Sequence, residues 1–192
     1  MPLLIPTIVF VFLFYGVPQV AFHNSYNKIL VLTMVFATTF LVPLISLLTM
    51  KLTKQIGSLH LELREERVFP FSTISLFYIL STYLFHLKLD SDPVFILTLA
   101  AISICVTLLA SVTFFWKISA HMTGMAGLTA IVLVFAAKYP AANLLPYVIL
   151  SVLATGAVGT ARLWLNAHNP IEILGGFLLG FSVCFAAFFL FL

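Results

Sequence analysis

Three short groups of polar residues interrupt an otherwise apolar chain. They contain the side chains whose types and spacing suit catalysis or the binding of a ligand. The most demanding pattern is Arg162, five residues, His168, three residues and Glu172. Asn169 followed by Pro170 predicts a helix N-cap with proline at the first helical position. His168 would then lie beside the positive end of a helix, where anions are stabilised. An arginine and an imidazole there predict a phosphate site that offers a nitrogen nucleophile.

Each residue of this first group also has a purely structural interpretation. Glu172 could orient the imidazole of His168 and stabilise its positive charge, or it could only complete a capping box with Asn169. Arg162 could be a snorkelling residue at a membrane edge, and His168 a hydrogen-bonded structural histidine. The joint pattern of arginine, histidine and carboxylate favours the site.

The second group runs from Lys117 to His121, just before an apolar stretch that starts at Met122. Ser119 could cap the following helix. A hydroxyl, a free helix N-terminus and a histidine again predict an anion site, in which His121 could act as general acid toward a leaving oxygen. The alternative is a serine that only caps and a histidine that only lies at the membrane interface.

The third group contains Arg64 and Arg67, separated by two glutamates. Residues three apart share a helical face, so both guanidinium groups could point the same way. The alternative is a charged loop paired with itself.

In order and spacing, these groups resemble the signature of the type 2 phosphatidic acid phosphatase and vanadium haloperoxidase superfamily. Its membrane members carry Lys, six residues, Arg-Pro; then Pro-Ser-Gly-His; then Ser-Arg, five residues, His, three residues, Asp. Arg162 and His168 match the third motif, Ser119 and His121 match the second, and Arg67 takes the arginine position of the first. The resemblance covers roughly residues 60–180.

The resemblance implies a role for each matching residue. His168 would be the nucleophile that forms a phosphohistidine, Glu172 its orienting carboxylate, and His121 the acid that protonates the leaving alcohol. The phosphate would be held by Arg67, Arg162 and Ser119, with Arg64 and Lys117 as additional candidates. This chemistry requires no metal and no cofactor, and it predicts a membrane lipid phosphate or pyrophosphate phosphatase whose substrate is a lipid phosphate.

Several positions depart from the family pattern. The substitutions are Glu172 for aspartate, Ala161 for serine, Ile118 and Ala120 in the second motif, and Val68 for proline and His60 for lysine in the first. They motivate a second hypothesis, a catalytically silent relative that binds a lipid headgroup or serves as a partner subunit. A third is a metal-dependent hydrolase with His121, His168 and Glu172 as ligands, although the chain contains no His-Glu-x-x-His motif.

The composition places these groups in a lipid bilayer. Hydrophobic residues make up 62% of the 192 residues and charged residues only 8%, whereas about a quarter of an ordinary soluble domain is charged. The net charge of +3 is too small and too dispersed to predict a nucleic-acid partner. Cys105 and Cys184 fall within apolar stretches, which favours packing roles over a disulfide bridge.

Apolar stretches between the charged breaks predict a polytopic bundle of transmembrane helices. We expect an all-α fold of six to seven spans, a single domain over residues 1–192 with a phosphatase-like core at about 60–180. Glycines on the last three predicted spans, Gly156 among them, favour close helix packing. The predicted spans are roughly 3–22, 29–50, 70–87, 93–115, 122–138, 144–161 and 170–192.

Span counting predicts that the polar groups share one membrane face, because two spans separate each group from the next. Nearby Lys51 and Lys54 join the site cations there, whereas Lys28, Lys88 and Lys138 lie at the opposite face. The positive-inside rule points the richer face to the cytoplasm, but four of its six cations are candidate site residues. Most membrane members of the resembling family act on the outer face, so we expect a bacterial inner-membrane protein with a periplasmic site.

Overall fold

The computed structural model describes residues 2–17, 28–58, 64–88 and 93–192, and every regular element within them is helical. The first segment, Pro2–Gly16, comprises a 3-10 turn (Pro2–Leu4), helix α1 (Ile5–Val11) and a π-helical turn (Phe12–Gly16). Helix α2 (Lys28–Phe36), a π-helical turn (Ala37–Leu41) and α3 (Val42–Leu52) follow one another without a break. The remaining helices are α4 (Arg64–Lys88), α5 (Pro93–Thr113), α6 (Ala120–Lys138), α7 (Leu145–Trp164) and α8 (Pro170–Phe191).

Six of these helical stretches are long and apolar enough to cross a membrane, which confirms an all-helical, membrane-spanning architecture for the described residues. They are the continuous helix Lys28–Leu52 and the five helices from α4 to α8. The predicted span 3–22 lies partly outside the described residues. The apolar helical segment described there, Pro2–Gly16, is shorter than the six spans.

The start of α4 differs from the prediction by six residues. We expected residues 51–69 to be a loop because they carry charges and precede Pro70, but the helix already begins at Arg64. Pro70 lies in the second turn, where the loss of its N–H costs a single hydrogen bond near the helix end. Arg64 and Arg67 are therefore held on a rigid helix rather than in a loop.

Helix α6 forms the centre of the bundle, and α8 packs closely against it. A Cβ atom at Gly176 would lie 2.6 Å from the carbonyl oxygen of Ser119, and one at Gly180 would collide with the backbone of Thr123. The absence of a side chain lets the two backbones touch, as the glycine pattern predicted. Gly156 is different, because a Cβ there would have nothing within 4 Å. The prediction of a packing role for Gly156 was wrong.

Polar side chains tie neighbouring helices together inside the apolar bundle. Where no water competes, such hydrogen bonds fix which turns of two helices face each other. Three such ties in the described residues are Thr129 Oγ1 with Thr155 Oγ1 at 2.9 Å, Thr82 Oγ1 with Ser103 Oγ at 2.8 Å, and Tyr78 Oη donating to Thr39 O at 3.0 Å. Cys105 and Cys184 are free and buried, in line with the predicted packing roles.

Helix α7 is the least buried of the six candidate spans. Of the apolar window that would cross the membrane, 17% is buried in α7 against 61% in α6. The hydroxyl groups of Thr129 and Thr155 join α7 to α6 near its middle. Most of the α7 surface would therefore contact lipid.

Candidate functional site

The three polar groups meet at one end of the bundle, as span counting predicted. The Arg64 Nη1 group at the start of α4 donates to Phe115 O at 3.2 Å, and Arg67 Nη1 donates to Ile118 O at 3.4 Å. The Ser119 N–H, just before α6, donates to Glu172 O in the first turn of α8 at 3.1 Å. Backbone and guanidinium hydrogen bonds thus hold the beginnings of α4, α6 and α8 together.

The start of α8 is a complete capping box. Asn169 Oδ1 accepts from the Glu172 N–H at 2.8 Å, and the Asn169 N–H donates to Glu172 Oε2 at 3.3 Å. The same Oε2 lies 2.8 Å from His168 Nδ1. The two interpretations of Glu172 are therefore not alternatives, because the cap holds the carboxylate in the position from which it contacts the imidazole.

His168 is enclosed, and its environment favours the neutral imidazole. Only 2% of its side chain is exposed. Burial lowers the pKa of His168, the hydrogen bond to Glu172 opposes that effect, and the positive charge of Arg67 lowers the pKa further. An ionised Glu172 requires the proton on Nδ1 and leaves a lone pair on Nε2. Within the described residues Nε2 makes no hydrogen bond.

A cavity of about 450 Å³ opens beside His168 and has two unlike ends. Its polar end is lined by Arg67, His121, Arg162 and His168. The rest of its wall is almost entirely apolar and comes from the Pro2–Gly16 segment and from the helices α3, α4, α5, α6 and α8. The site can therefore take a molecule with an anionic head and a hydrocarbon body.

Arg162 reaches this polar end with unsatisfied hydrogen-bonding capacity. Its side chain is half-buried, and its Nε atom is buried without a hydrogen-bond partner in the described part of the chain. Arg67 is buried as well, at 5% exposure. A buried donor without a partner costs roughly 1–3 kcal/mol. An anion at the polar end would supply the missing acceptor and offset the two guanidinium charges.

Four of the eight predicted site residues line the cavity, and the other four lie around it. Glu172 contacts His168, and the fully buried Ser119 caps α6 by accepting from the Met122 N–H at 3.5 Å. Arg64 is exposed and contacts Phe115 O and, at 3.3 Å, Glu65 Oε1, so it does not line the cavity. Lys117 is half-buried and also lies outside the wall, while His60 is outside the described residues.

The apolar wall of the cavity was not predicted from the sequence. Pro2, Leu3, Ile5, Pro6 and Val9 line it, although the predicted core began near residue 60. One signal was present in the sequence. Gly124 follows His121 by three residues, and a Cβ atom at Gly124 would collide with Ile5. The glycine next to the second motif thus makes room for the N-terminal segment.

The described part of the chain contains no set of ligands for a metal centre. Among those residues no group of three histidine, cysteine, aspartate or glutamate side chains is arranged to hold a metal ion. The hypothesis of a metal-dependent hydrolase with His121, His168 and Glu172 as ligands therefore has no geometric support.

Comparison of the chain with protein-family models, with curated proteins and with solved structures found no match. The features that bear on function are therefore the motif residues and the cavity that they line.

Proposed function

We propose that this chain is a membrane-embedded phosphatase that removes phosphate from lipid phosphates or pyrophosphates through a phosphohistidine. One observation carries the proposal. His168, held by Glu172, lies at the polar end of a cavity that also contains Arg67, His121 and Arg162 and that continues into apolar space. A nucleophile, an acid, an anion clamp and a hydrocarbon pocket are the parts that such a reaction needs.

The first step forms a bond between His168 Nε2 and phosphorus and breaks the bond between phosphorus and the leaving oxygen. Glu172 accepts the Nδ1–H hydrogen bond and stabilises the positive charge that develops on the ring. His121 donates a proton to the departing alcohol or phosphate. In the second step water attacks the phosphohistidine, its proton passes to His121, and inorganic phosphate and free His168 are released.

The charge that develops on the phosphoryl oxygens would be stabilised by Arg67 and Arg162, whose guanidinium groups suit two-point contact with phosphate. The buried Nε of Arg162 is a donor already in place for this purpose. The N-terminal ends of α6 and α8 add positive ends of helix dipoles on the same side. Preorganised donors of this kind are worth about 10²–10³-fold each in rate.

Aromatic residues support a position of the site near the headgroup level of a bilayer. Trp116 and Trp164 lie at the same end as the site, and Trp164 is 85% exposed. Tryptophan prefers the membrane–water interface, where its ring is buried in apolar surroundings and its N–H meets water. A lipid phosphate held in the bilayer would present its phosphate at this depth.

We place this end of the bundle on the outer, periplasmic face of a bacterial inner membrane. Without the four candidate site cations it retains Lys51 and Lys54, against Lys28, Lys88 and Lys138 opposite. Membrane-impermeant thiol reagents on intact cells test this assignment. Lys54→Cys should be labelled and Lys138→Cys should not, in a background with Cys105 and Cys184 replaced by alanine. The reverse pattern would put the site in the cytoplasm.

Activity is tested with purified protein in lipid nanodiscs, by phosphate release from a panel of phospholipid phosphates, polyprenyl phosphates and polyprenyl pyrophosphates. Rapid acid quench with labelled substrate should trap a phosphohistidine in the wild type and none in His168→Ala. His86→Ala is the matched control, because His86 is exposed on α4 away from the cavity. Wild-type turnover by a folded His168→Ala protein would overturn the mechanism.

One observation favours the second candidate, a silent relative that only binds the headgroup. Among the described residues, the cavity wall contains no lysine: Lys117 lies outside it, and His60 stands in the sequence where the first motif has its lysine. The same panel separates the two candidates. Headgroup-dependent binding without phosphate release or a trapped phosphohistidine would identify a binder.

A further inference from the structure

The apolar part of the cavity has a measurable depth. On α6 its wall runs from His121 at the polar end to Ile131, ten residues further on. At about 1.5 Å of rise per residue, the cavity extends about 15 Å along the helix. The hydrocarbon core of a bilayer is about 30 Å thick, so the cavity ends near the midplane. It has the depth of one leaflet.

The cavity also has a limited cross-section. A cavity of about 150 Å³ lined by apolar side chains binds a benzene ring, which has six carbons. On that scale the volume of about 450 Å³ holds roughly 18 carbons. One hydrocarbon chain as deep as a leaflet fills this space, and a second chain beside it does not fit.

The far end of the cavity is lined by side chains from four helices. We call this set the floor: it consists of Tyr78, Ile102, Ile131 and Cys184, the lining residues farthest along their helices from the polar end. All four are buried, Ile131 at 1% exposure. On one side, Ile5 packs against Gly124, and both residues form part of the wall near the polar end. A chain that enters the cavity thus meets a defined end.

We propose that the cavity binds a single hydrocarbon chain and limits its length, so that the preferred substrates are single-chain phosphates of up to about 18 carbons. This inference rests on the proposed function, because the phosphate must lie at His168. The second chain of a two-chain phospholipid would have to displace Ile5 from Gly124. A chain longer than the cavity would have to bend at Ile131.

The test is the chain-length dependence of kcat/KM for octyl, dodecyl, hexadecyl and eicosyl phosphate, with dioleoyl phosphatidic acid as the two-chain comparison, in nanodiscs of phosphatidylcholine. A chain that moves from bilayer to cavity exchanges one apolar medium for another, so lengthening it gains little until the floor is reached. We expect similar values up to hexadecyl phosphate. Eicosyl phosphate and dioleoyl phosphatidic acid should be at least tenfold lower.

Two variants at one floor position move the limit in opposite directions. Ile131→Ala removes three carbons from the floor and should raise the relative kcat/KM of eicosyl phosphate. Ile131→Phe should shorten the limit on chain length toward that of dodecyl phosphate. If the phenylalanine variant does not fold, the result with Ile131→Ala is sufficient to test the length limit. Ile149→Ala and Ile149→Phe are matched controls, because Ile149 is exposed on α7, and they should leave the length profile unchanged.

Binding distinguishes a failure of this inference from a failure of the phosphatase proposal. Thermal stabilisation by the corresponding alkyl phosphonates, which are not hydrolysed, reports the length limit without turnover. If no phosphate is released but the length limit for binding still changes in the Ile131 variants, the phosphatase proposal is wrong and the single-chain cavity is supported. If phosphate is released with the same kcat/KM for all chain lengths and for dioleoyl phosphatidic acid, and both Ile131 variants behave alike, the single-chain cavity is wrong and the phosphatase is supported.

Discussion

His168 and His121 line the same cavity but differ in their surroundings. His168 has one ring nitrogen committed to Glu172, whereas His121 makes no hydrogen bond within the described residues. A fixed ring presents one nitrogen in one direction, which suits a nucleophile. A ring without such a partner is freer to exchange a proton with a leaving group and then with water.

This difference predicts that the two alanine variants lose turnover on different substrates. His168→Ala should abolish turnover of both a lipid phosphate and an aryl phosphate, because no nucleophile remains. His121→Ala should lose the lipid substrate but retain measurable aryl phosphate turnover, because a good leaving group needs no acid. General acid catalysis contributes about 10²–10⁴-fold, so steady-state rates on both substrates resolve the two patterns. Equal losses on both substrates in His121→Ala would contradict its role as the acid.

The protonation of His168 predicts the acid side of the pH profile. The nucleophile must be neutral, and burial and Arg67 lower the pKa of His168 below its ordinary value of about 6.5. Between the lowered pKa and about 6.5 the folded protein binds fewer protons than the unfolded chain. The free energy of unfolding should therefore fall as the pH drops through this window, while kcat/KM is retained until the lowered pKa is reached.

Glu172→Gln tests the assignment of that pH limit. Glu172 raises the pKa of His168, so its neutralisation should move the acid limb of the kcat/KM profile to lower pH. The glutamine can still accept from Asn169 N–H, which keeps the helix cap. An acid limb that moves to higher pH, or stays at 6.5 in both proteins, would assign the limit to another group.

At the scale of the helices, the apolar stretches predicted the spans well and the polar segments less well. The predicted span 170–192 corresponds to α8 at Pro170–Phe191 because Asn169 and Pro170 define its start by their own chemistry. The start of α4 was wrong because charge was taken as a sign of a loop. A charged first turn is equally compatible with a helix that extends beyond the hydrocarbon, and only the contacts of Arg67 with neighbouring helices decide between the two.

The contact between α6 and α8 predicts opposite effects for two glycine-to-alanine substitutions. Gly180→Ala places a methyl group against the backbone of Thr123, which cannot move without separating the helices, and overpacking of this kind costs about 1–3 kcal/mol. Gly156→Ala meets open space and should be neutral or stabilising by up to about 1 kcal/mol. Thermal unfolding in detergent measures both. Equal shifts would mean that α6 and α8 do not touch as described.

At the scale of the whole molecule, the motif residues were predictable and the cavity was not. Arg162, His168, Ser119 and His121 follow a linear spacing, so the sequence alone indicates them. The apolar wall has no such spacing, because any membrane helix supplies leucine, isoleucine and phenylalanine on every face. Which of them line a cavity depends on helix rotation and on the packing of the N-terminal segment against Gly124, and both are set by tertiary contacts.

We expect the position of helix α7 to depend on the thickness of the surrounding bilayer. The helix supplies Arg162 to the site, yet it is 17% buried across its apolar window and is held to α6 by the hydroxyl pair of Thr129 and Thr155. Such a helix follows the thickness of the surrounding bilayer by tilting, and hydrophobic mismatch costs fractions of a kcal/mol per Å. Thin and thick membranes should therefore set the arginine at different heights above the phosphate. We expect kcat/KM to differ between nanodiscs of short-chain and long-chain phosphatidylcholine, and the difference to be larger in Thr155→Val. The reaction rate would then depend on the thickness of the membrane.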